Sequence, residues 1–342
     1  MHATNSQTLG GSVIPDEKKD AVVRALRSAF DVESFEDIRP LTAGLSSALV
    51  FRIVVKGSPY LLRVITRQDA VNEPTRQFTC MRSGAAAGLA PRVWYTSIED
   101  RISITDFVEA RPFSRKDALA RMPATLKVLH ALPAFPAGPN YLDFVDRYIE
   151  RFKAAQILPA SETAEVFELY GKVAAIYPRM DGETVSCHND LKPENVLFDG
   201  SQVWLVDWEA AFLNDRYLDL CVVANFVVTN DGEEEEYLRV YFGEAPDAYR
   251  RARFYLMRQV LHMAYAVVFL LIGSAGVPVE PATEVPEFRE FHDAIWEGKL
   301  SLASSEAKVQ YGLVHWRQGL AQMQSERFRE ALRIVIARGA SA

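Results

Sequence analysis

Cys187-His188-Asn189-Asp190-Leu191-Lys192-Pro193-Glu194-Asn195-Val196-Leu197-Phe198 is the stretch from which the rest of the chain can be read. It sets an aspartate five positions ahead of an asparagine that enters a run of strand-forming residues. An Asp199-Gly200 turn and a second run, Val203-Trp204-Leu205-Val206, complete a predicted β-hairpin. Asp207-Trp208-Glu209 follows directly. The two ends of a hairpin are neighbours across its ladder, so Asn195 and Asp207 are expected side by side. Phosphoryl transfer from ATP asks for this set. One carboxylate, Asp190, accepts a hydroxyl proton, while an Asn and a second Asp, Asn195 and Asp207, hold Mg²⁺ against the phosphates. A polar turn ahead of a buried hairpin would contain the same residues without the chemistry, so the flanking sequence must decide.

The composition bounds the alternatives. The chain has 342 residues, 49% hydrophobic and 24% charged, the balance of a soluble globular protein with room for two domains. Lys+Arg 38 against Asp+Glu 45 gives a net charge of −7, which excludes the basic footprint of a nucleic-acid binder. Three cysteines, with no C-x-x-C pair, fit a reducing, cytoplasmic compartment. The N-terminus lacks the basic and apolar segments of a signal peptide. The longest apolar run, Val260 to Ile272, is too short to span a bilayer comfortably and reads as a buried core helix, so no membrane partner is expected.

Along the chain, residues 1–15 are expected to be loosely attached, and a helix opens at Pro15-Asp16-Glu17. Strands are predicted at Ile38–Leu41, Ala48–Val55, Tyr60–Ile65, Arg92–Thr96 and Arg101–Val108, with a helix over 73–88. Beyond residue 108 the pattern turns helical, apart from the hairpin. The expectation is an α+β protein of two lobes, a five-stranded antiparallel lobe over 16–108 and a larger helical lobe over 109–342.

The quoted stretch resembles the catalytic loop of the aminoglycoside phosphotransferase and choline kinase superfamily, whose pattern is H-x-D-x-x-x-x-N followed by a metal-binding Asp after a short hairpin. His188, Asp190, Asn195 and Asp207 match it one for one. The resemblance implies a bilobal, protein-kinase-like fold, with ATP and Mg²⁺ as cofactors, Asp190 as catalytic base and His188 as a support. It also implies a nucleotide loop at Gly44-Leu45-Ser46-Ser47, a phosphate-binding cation at Arg63 and an acidic partner for it at Glu73. Backbone groups around Asp106, Phe107 and Val108 would hold adenine. The resemblance covers about residues 35–225 and is strongest from Cys187 to Asp219.

Cys-His-Asn-Asp-Leu at 187–191 and the Asp207-Trp208-Glu209 segment, with Asp215 to Leu220 after it, are similar to the choline and ethanolamine kinases. The form there is more often Phe-Glu-Tyr than Trp-Glu-Ala. The implied substrate is a small cationic alcohol. A quaternary ammonium is held by aromatic faces and a carboxylate, so Asp190, Glu209, Trp208, Asp219 and Trp316 are the substrate candidates. An aminoglycoside acceptor would draw on Asp231, Glu233–Glu236 and Glu244 instead. Other readings are a non-catalytic binder, a protein kinase, or a metal hydrolase built on His188, Asp190 and Asp207. The first lacks the expected loss of a site residue; the second lacks Asp-Phe-Gly and Ala-Pro-Glu. For the third, His262, His292 and His315 are scattered in the sequence. His130 reads as a helix residue without a role, and Cys187 beside the loop suggests sensitivity to oxidation.

Overall fold

The computed structural model describes residues 13–41, 48–66, 73–179 and 184–339. Gly44, Ser46 and Ser47 therefore lie outside the described residues. Contacts divide the chain into two compact units, Met1–Phe113 with Glu194–Phe212, and Ser114–Pro193 with Leu213–Ala342. The single boundary expected near residue 108 is thus replaced by three crossings. The hairpin, assigned from sequence to the helical lobe, folds with the N-terminal unit.

That unit opens with α1 (Asp16–Phe30), followed by β1 (Asp37–Pro40), β2 (Ala48–Val55) and β3 (Ser58–Ile65). Then come α2 (Pro74–Ala86), β4 (Val93–Ser97) and β5 (Ile102–Asp106). The strands form one antiparallel sheet in the order β1-β2-β3-β5-β4. Side chains alternate between the faces of a strand. On β3, Leu62 and Val64 turn toward α1 and pack with Val22, Leu26, Phe51 and Ile104. Arg63, between them, takes the other face of the central strand, opposite Val50 and Ser103.

The hairpin, Val196–Phe198 and Val203–Leu205, is fixed to this unit by backbone bonds at both ends. Arg111 N donates to Phe198 O (2.6 Å) and Leu205 N to Leu89 O (2.7 Å). Trp208 closes over Gly84 of α2, where an added Cβ would stand 2.6 Å from the indole.

The second unit begins with α3 (Arg115–His130), α4 (Tyr141–Ala155), α5 (Ala160–Ile176) and β6 (Thr184–Cys187). After the hairpin strands β7 and β8, β9 (Phe212–Asp215) pairs with β6. The remaining helices are α6 (Arg216–Val227), α7 (Asp231–Phe242), α8 (Ala248–Ser274), α9 (Phe288–Trp296), α10 (Ser305–Met323) and α11 (Glu326–Gly339). The apolar run anticipated as a core helix belongs to α8, whose 27 residues would extend about 40 Å. It is long and apolar enough to cross a membrane, yet it is mostly buried among the other helices.

Glycines let α8 and α10 approach closely. A Cβ on Gly312 would lie 2.7 Å from Leu270 Cγ and 3.0 Å from Leu270 N. Backbone cannot rotate aside, so Gly312→Ala is expected to destabilise the unit by about 1–3 kcal/mol. Thermal unfolding checks this, and an unchanged Tm would show that the helices part freely.

Candidate active site

In the N-terminal unit, the hairpin delivers its two polar ends together as the sequence suggested. Asn195, in a short 3₁₀ turn before β7, accepts the amide of Val206 at its carbonyl (3.0 Å), and its side chain is buried. Asp207 follows with a left-handed backbone, φ 66° and ψ 66°. A non-glycine residue pays for that conformation, and such outliers cluster at functional sites. Opposite it, the Arg63 guanidinium forks. Nη1 donates to Asp207 Oδ1 (2.6 Å) and Nη2 to Glu209 Oε2 (2.8 Å), with all three side chains largely withdrawn from solvent. Two carboxylates and one arginine thus meet at the end of the hairpin.

This geometry corrects the expectation for Glu73. Its carboxylate caps α2, accepting from Thr75 N (3.0 Å) and Thr75 Oγ1 (2.6 Å). The partners of Arg63 include Asp207 and Glu209. Arg76, on the first turn of α2, donates to Glu209 O (2.7 Å), so α2 supports the acidic end through Arg76. Trp208 is buried, with Nε1 donating to Leu205 O (3.2 Å), and its position is that of a packing residue.

The same unit carries a cleft of about 620 Å³ lined by Tyr60, Asp106, Phe107, Val108, Glu109 and Trp204, among others. Asp106, Phe107 and Val108 therefore border one cavity. Asp106 N is already committed to Arg92 O (2.9 Å) and its carboxylate to Trp94 Nε1 (2.6 Å), so the segment is held rigidly from behind.

In the helical unit, β6 ends at Cys187 and the loop begins. His188 is fully buried. Its amide donates to Asp219 Oδ2 (2.8 Å), and the next amide, of Asn189, donates to Asp219 Oδ1 (2.7 Å). Asn189 is left-handed at φ 64°, and its side-chain oxygen accepts from Asn214 Nδ2 (2.9 Å). Asp219 is completely buried, so it acts on the loop backbone and is not placed to meet a substrate. Asp190 emerges from this clamp partly exposed, 3.0 Å from Lys192 Nζ.

Around Asp190 the unit gathers tyrosines. Burial, reinforced by the Asp190 charge, pushes the Tyr141 hydroxyl far above its ordinary pKa. Burial does the same to Tyr265, with Tyr311, Tyr141 and Asp190 adding to it. The Tyr265 ring lies 5.7 Å from Tyr311 and 6.0 Å, edge to face, from Phe269. Trp316 is elsewhere, stacked on Phe152 at 5.9 Å and nearly buried. Tyr141 had no sequence signal: it begins a helix after a Pro/Gly-rich segment, and nothing local ties it to a loop some fifty residues later.

Two further expectations change. Cys187 is buried and desolvation raises its thiol pKa well above normal, which keeps it protonated and unreactive. His262, His292 and His315, scattered in the sequence, come together. His262 Nδ1 lies 2.9 Å from His315 Nδ1, and the His292 and His315 rings are 5.1 Å apart. Their nitrogens do not converge on one point: among the described residues the one group with metal-ligand spacing is His130, Cys187 and Asp219.

Comparison with known proteins agrees with this arrangement. The phosphotransferase enzyme family (APH) matches residues 37–255. Protein LicA of Haemophilus influenzae is 43% identical over 37 residues, which is 11% of this chain and only 14% of that protein. A choline/ethanolamine kinase family protein from Mesorhizobium loti has a similar structure, with a TM-score of 0.66 at 22% identity over 93% of this chain and 99% of its own. Spectinomycin phosphotransferase APH(9)-Ia, solved with ADP and spectinomycin, superposes with a TM-score of 0.51 at 13% identity over 86% of this chain and 98% of its own. At such identities the structural likeness is one of fold, a kinase-like one. The family match spans well over half of the sequence and includes the loop, the hairpin and Arg63, and so the chain belongs to the APH phosphotransferase enzyme family.

Proposed function

We propose that this protein transfers the γ-phosphoryl group of ATP, with Mg²⁺, to the hydroxyl of a small cationic alcohol of the choline or ethanolamine type. The residues fit both cofactors. Asn195 and Asp207 offer the hard oxygen ligands that Mg²⁺ prefers, and the cleft at Asp106–Val108 has the volume for a nucleoside. Bound Mg²⁺ would supply charge neutralisation at the β- and γ-phosphates. The chain supplies the rest. Asp190 accepts the proton of the acceptor hydroxyl and orients its oxygen. Arg63 presents a planar fork that can pass from Asp207 and Glu209 to phosphate oxygens.

What supports the acceptor assignment is that Asp190 and the aromatic residues Tyr141 and Tyr265 belong to one unit, near enough for the Asp190 charge to add to the raised pKa of both hydroxyls. An alkylated ammonium donates few or no hydrogen bonds and is attracted to aromatic faces. An aminoglycoside is the alternative acceptor, and of the carboxylates it would draw on, Asp231, Glu235, Glu236 and Glu244 are exposed and in surface ion pairs.

An ATP-consumption screen over choline, ethanolamine, aminoglycosides, amino alcohols and sugars tests the proposal. Saturable turnover is expected with choline-like alcohols; turnover confined to an aminoglycoside or a sugar would replace it. Arg63→Met should raise the KM for ATP about 10- to 100-fold, since each charge-assisted bond contributes about 1.5–3 kcal/mol. An unchanged KM would remove Arg63 from the nucleotide site.

A further inference from the structure

The helical unit holds a cavity of about 300 Å³ lined by residues of the α6–α7 turn, α7, α8, the start of α9, α10 and α11. Asp190, Tyr141 and Tyr265 are not among its walls. Its charged lining residues are Arg258, Arg289 and Arg327 against Asp231, Glu234 and Glu287, so the formal charges cancel. They do not cancel in pairs. Arg327 takes two of the carboxylates, donating to Asp231 Oδ1 (3.2 Å) and to Glu234 Oε1. Arg289 donates to Asn225 O (3.2 Å) and Phe226 O (2.8 Å) and pairs with Asp293 (2.8 Å).

Two opposite charges remain. Arg258 donates through Nε, to Asn225 Oδ1 (3.3 Å), while Nη1 stops 3.6 Å from Glu234 Oε2. Neither Nη group makes a hydrogen bond among the described residues, although the side chain is only 16% exposed. The Glu287 carboxylate makes no capping bond to α9 and no ion pair among the described residues. Gln259, also in the wall and 2% exposed, donates from Nε2 to Tyr255 O (3.0 Å), and its Oε1 has no partner among the described residues. A half-filled guanidinium and an orphaned amide oxygen, both withdrawn from water, are costly unless a ligand completes them.

We propose that this cavity binds a small zwitterion of the α-amino-acid class, its carboxylate on the Arg258 fork and its ammonium toward Gln259 Oε1 and Glu287. A planar fork with two free Nη groups matches a carboxylate. A polyanion would meet three wall carboxylates, and a simple cation three guanidiniums. A zwitterion leaves the cancelled charge of the walls unchanged while filling both open ends. The volume is at the small end for a ligand pocket, enough for an amino acid. No group of the phosphoryl-transfer site takes part, so the proposal is independent of the acceptor.

Isothermal titration of the full chain, without ATP or acceptor, tests this with L-serine, L-valine and L-glutamine. Each binder is compared with the analogues that lack its ammonium or its carboxylate, isovalerate and isobutylamine in the case of valine. One-to-one binding of at least one amino acid is expected, with each analogue about tenfold weaker or more, the loss that one charge-assisted bond implies. Arg258→Gln should weaken the amino acid by a similar factor. Glu287→Gln, at an exposed position, should weaken it about threefold and leave isovalerate unaffected. If Arg258→Gln does not fold, Glu287→Gln and the analogues carry the test. No amino-acid binding at millimolar concentrations overturns the proposal, as does unchanged binding in folded Arg258→Gln. Isovalerate or inorganic phosphate binding as tightly as the amino acid would overturn it too, since the cavity would then select an anion alone.

Discussion

Replacing Asp190 by Asn is expected to lower kcat about 10²- to 10⁴-fold, the range that a positioned proton acceptor contributes. Asn keeps the shape and the hydrogen-bonding reach but cannot take the hydroxyl proton. The side chain is partly exposed and outside the packed core, and the backbone beneath it is held by Asp219. The Tm should therefore stay close to that of the parent, which separates lost chemistry from lost fold. Nucleotide affinity should persist, because Arg63 and the Asp106–Val108 cleft lie in the other unit. Single-turnover phosphate transfer with saturating ATP, measured beside a thermal melt, gives both numbers. Turnover at the parental rate would remove Asp190 from the mechanism.

The helical unit is expected to unfold readily in mild acid. His262, His292 and His315 are fully buried, and desolvation is the leading cause that lowers each pKa, that of His292 to about 3. Nearby Arg258 disfavours the charged form of all three, His292 adds to this at His262 and His315, and Arg289 adds to it at His292. Nε2 of His292 and of His315 is buried without a hydrogen-bond partner among the described residues, so an added proton there meets no acceptor. The folded values lie below the ordinary 6.5, so the unfolded chain binds more protons and stability falls as pH drops through 6.5. For His292 the loss continues toward pH 3. All three shifts have the same sign, so their losses act in the same direction as the pH falls. Urea titrations from pH 7.5 to 5 should show the midpoint collapsing, and His292→Leu should flatten the slope by about one proton. A midpoint that holds from pH 7.5 to 5 would contradict the burial of these rings as neutral groups.

What could be read in advance was local. The Asp190–Asn195 spacing, the Asp199-Gly200 turn and the alternation of β3 depend on residues within a few positions of one another, and they reappear in the structure as expected. The start of α2 was equally local, and its signal was missed. Glu73 precedes Pro74 and Thr75, a helix-cap pattern that commits its carboxylate to the backbone before any arginine can claim it.

The partner of Arg63 had no such signal. Asp207 is 144 residues away, and only the return of the hairpin to the N-terminal unit brings it within 2.6 Å. His262, His292 and His315 lie on three different helices, so no periodicity links them; the packing of α8, α9 and α10 does. Tyr141 and Tyr265 come near enough to feel the Asp190 charge in the same way. Sequence alone determined the family, because the loop and hairpin that resemble it are laid down in one short stretch. Tertiary structure decided which charges pair and which histidines are buried, because those contacts arise only when distant elements exclude water together.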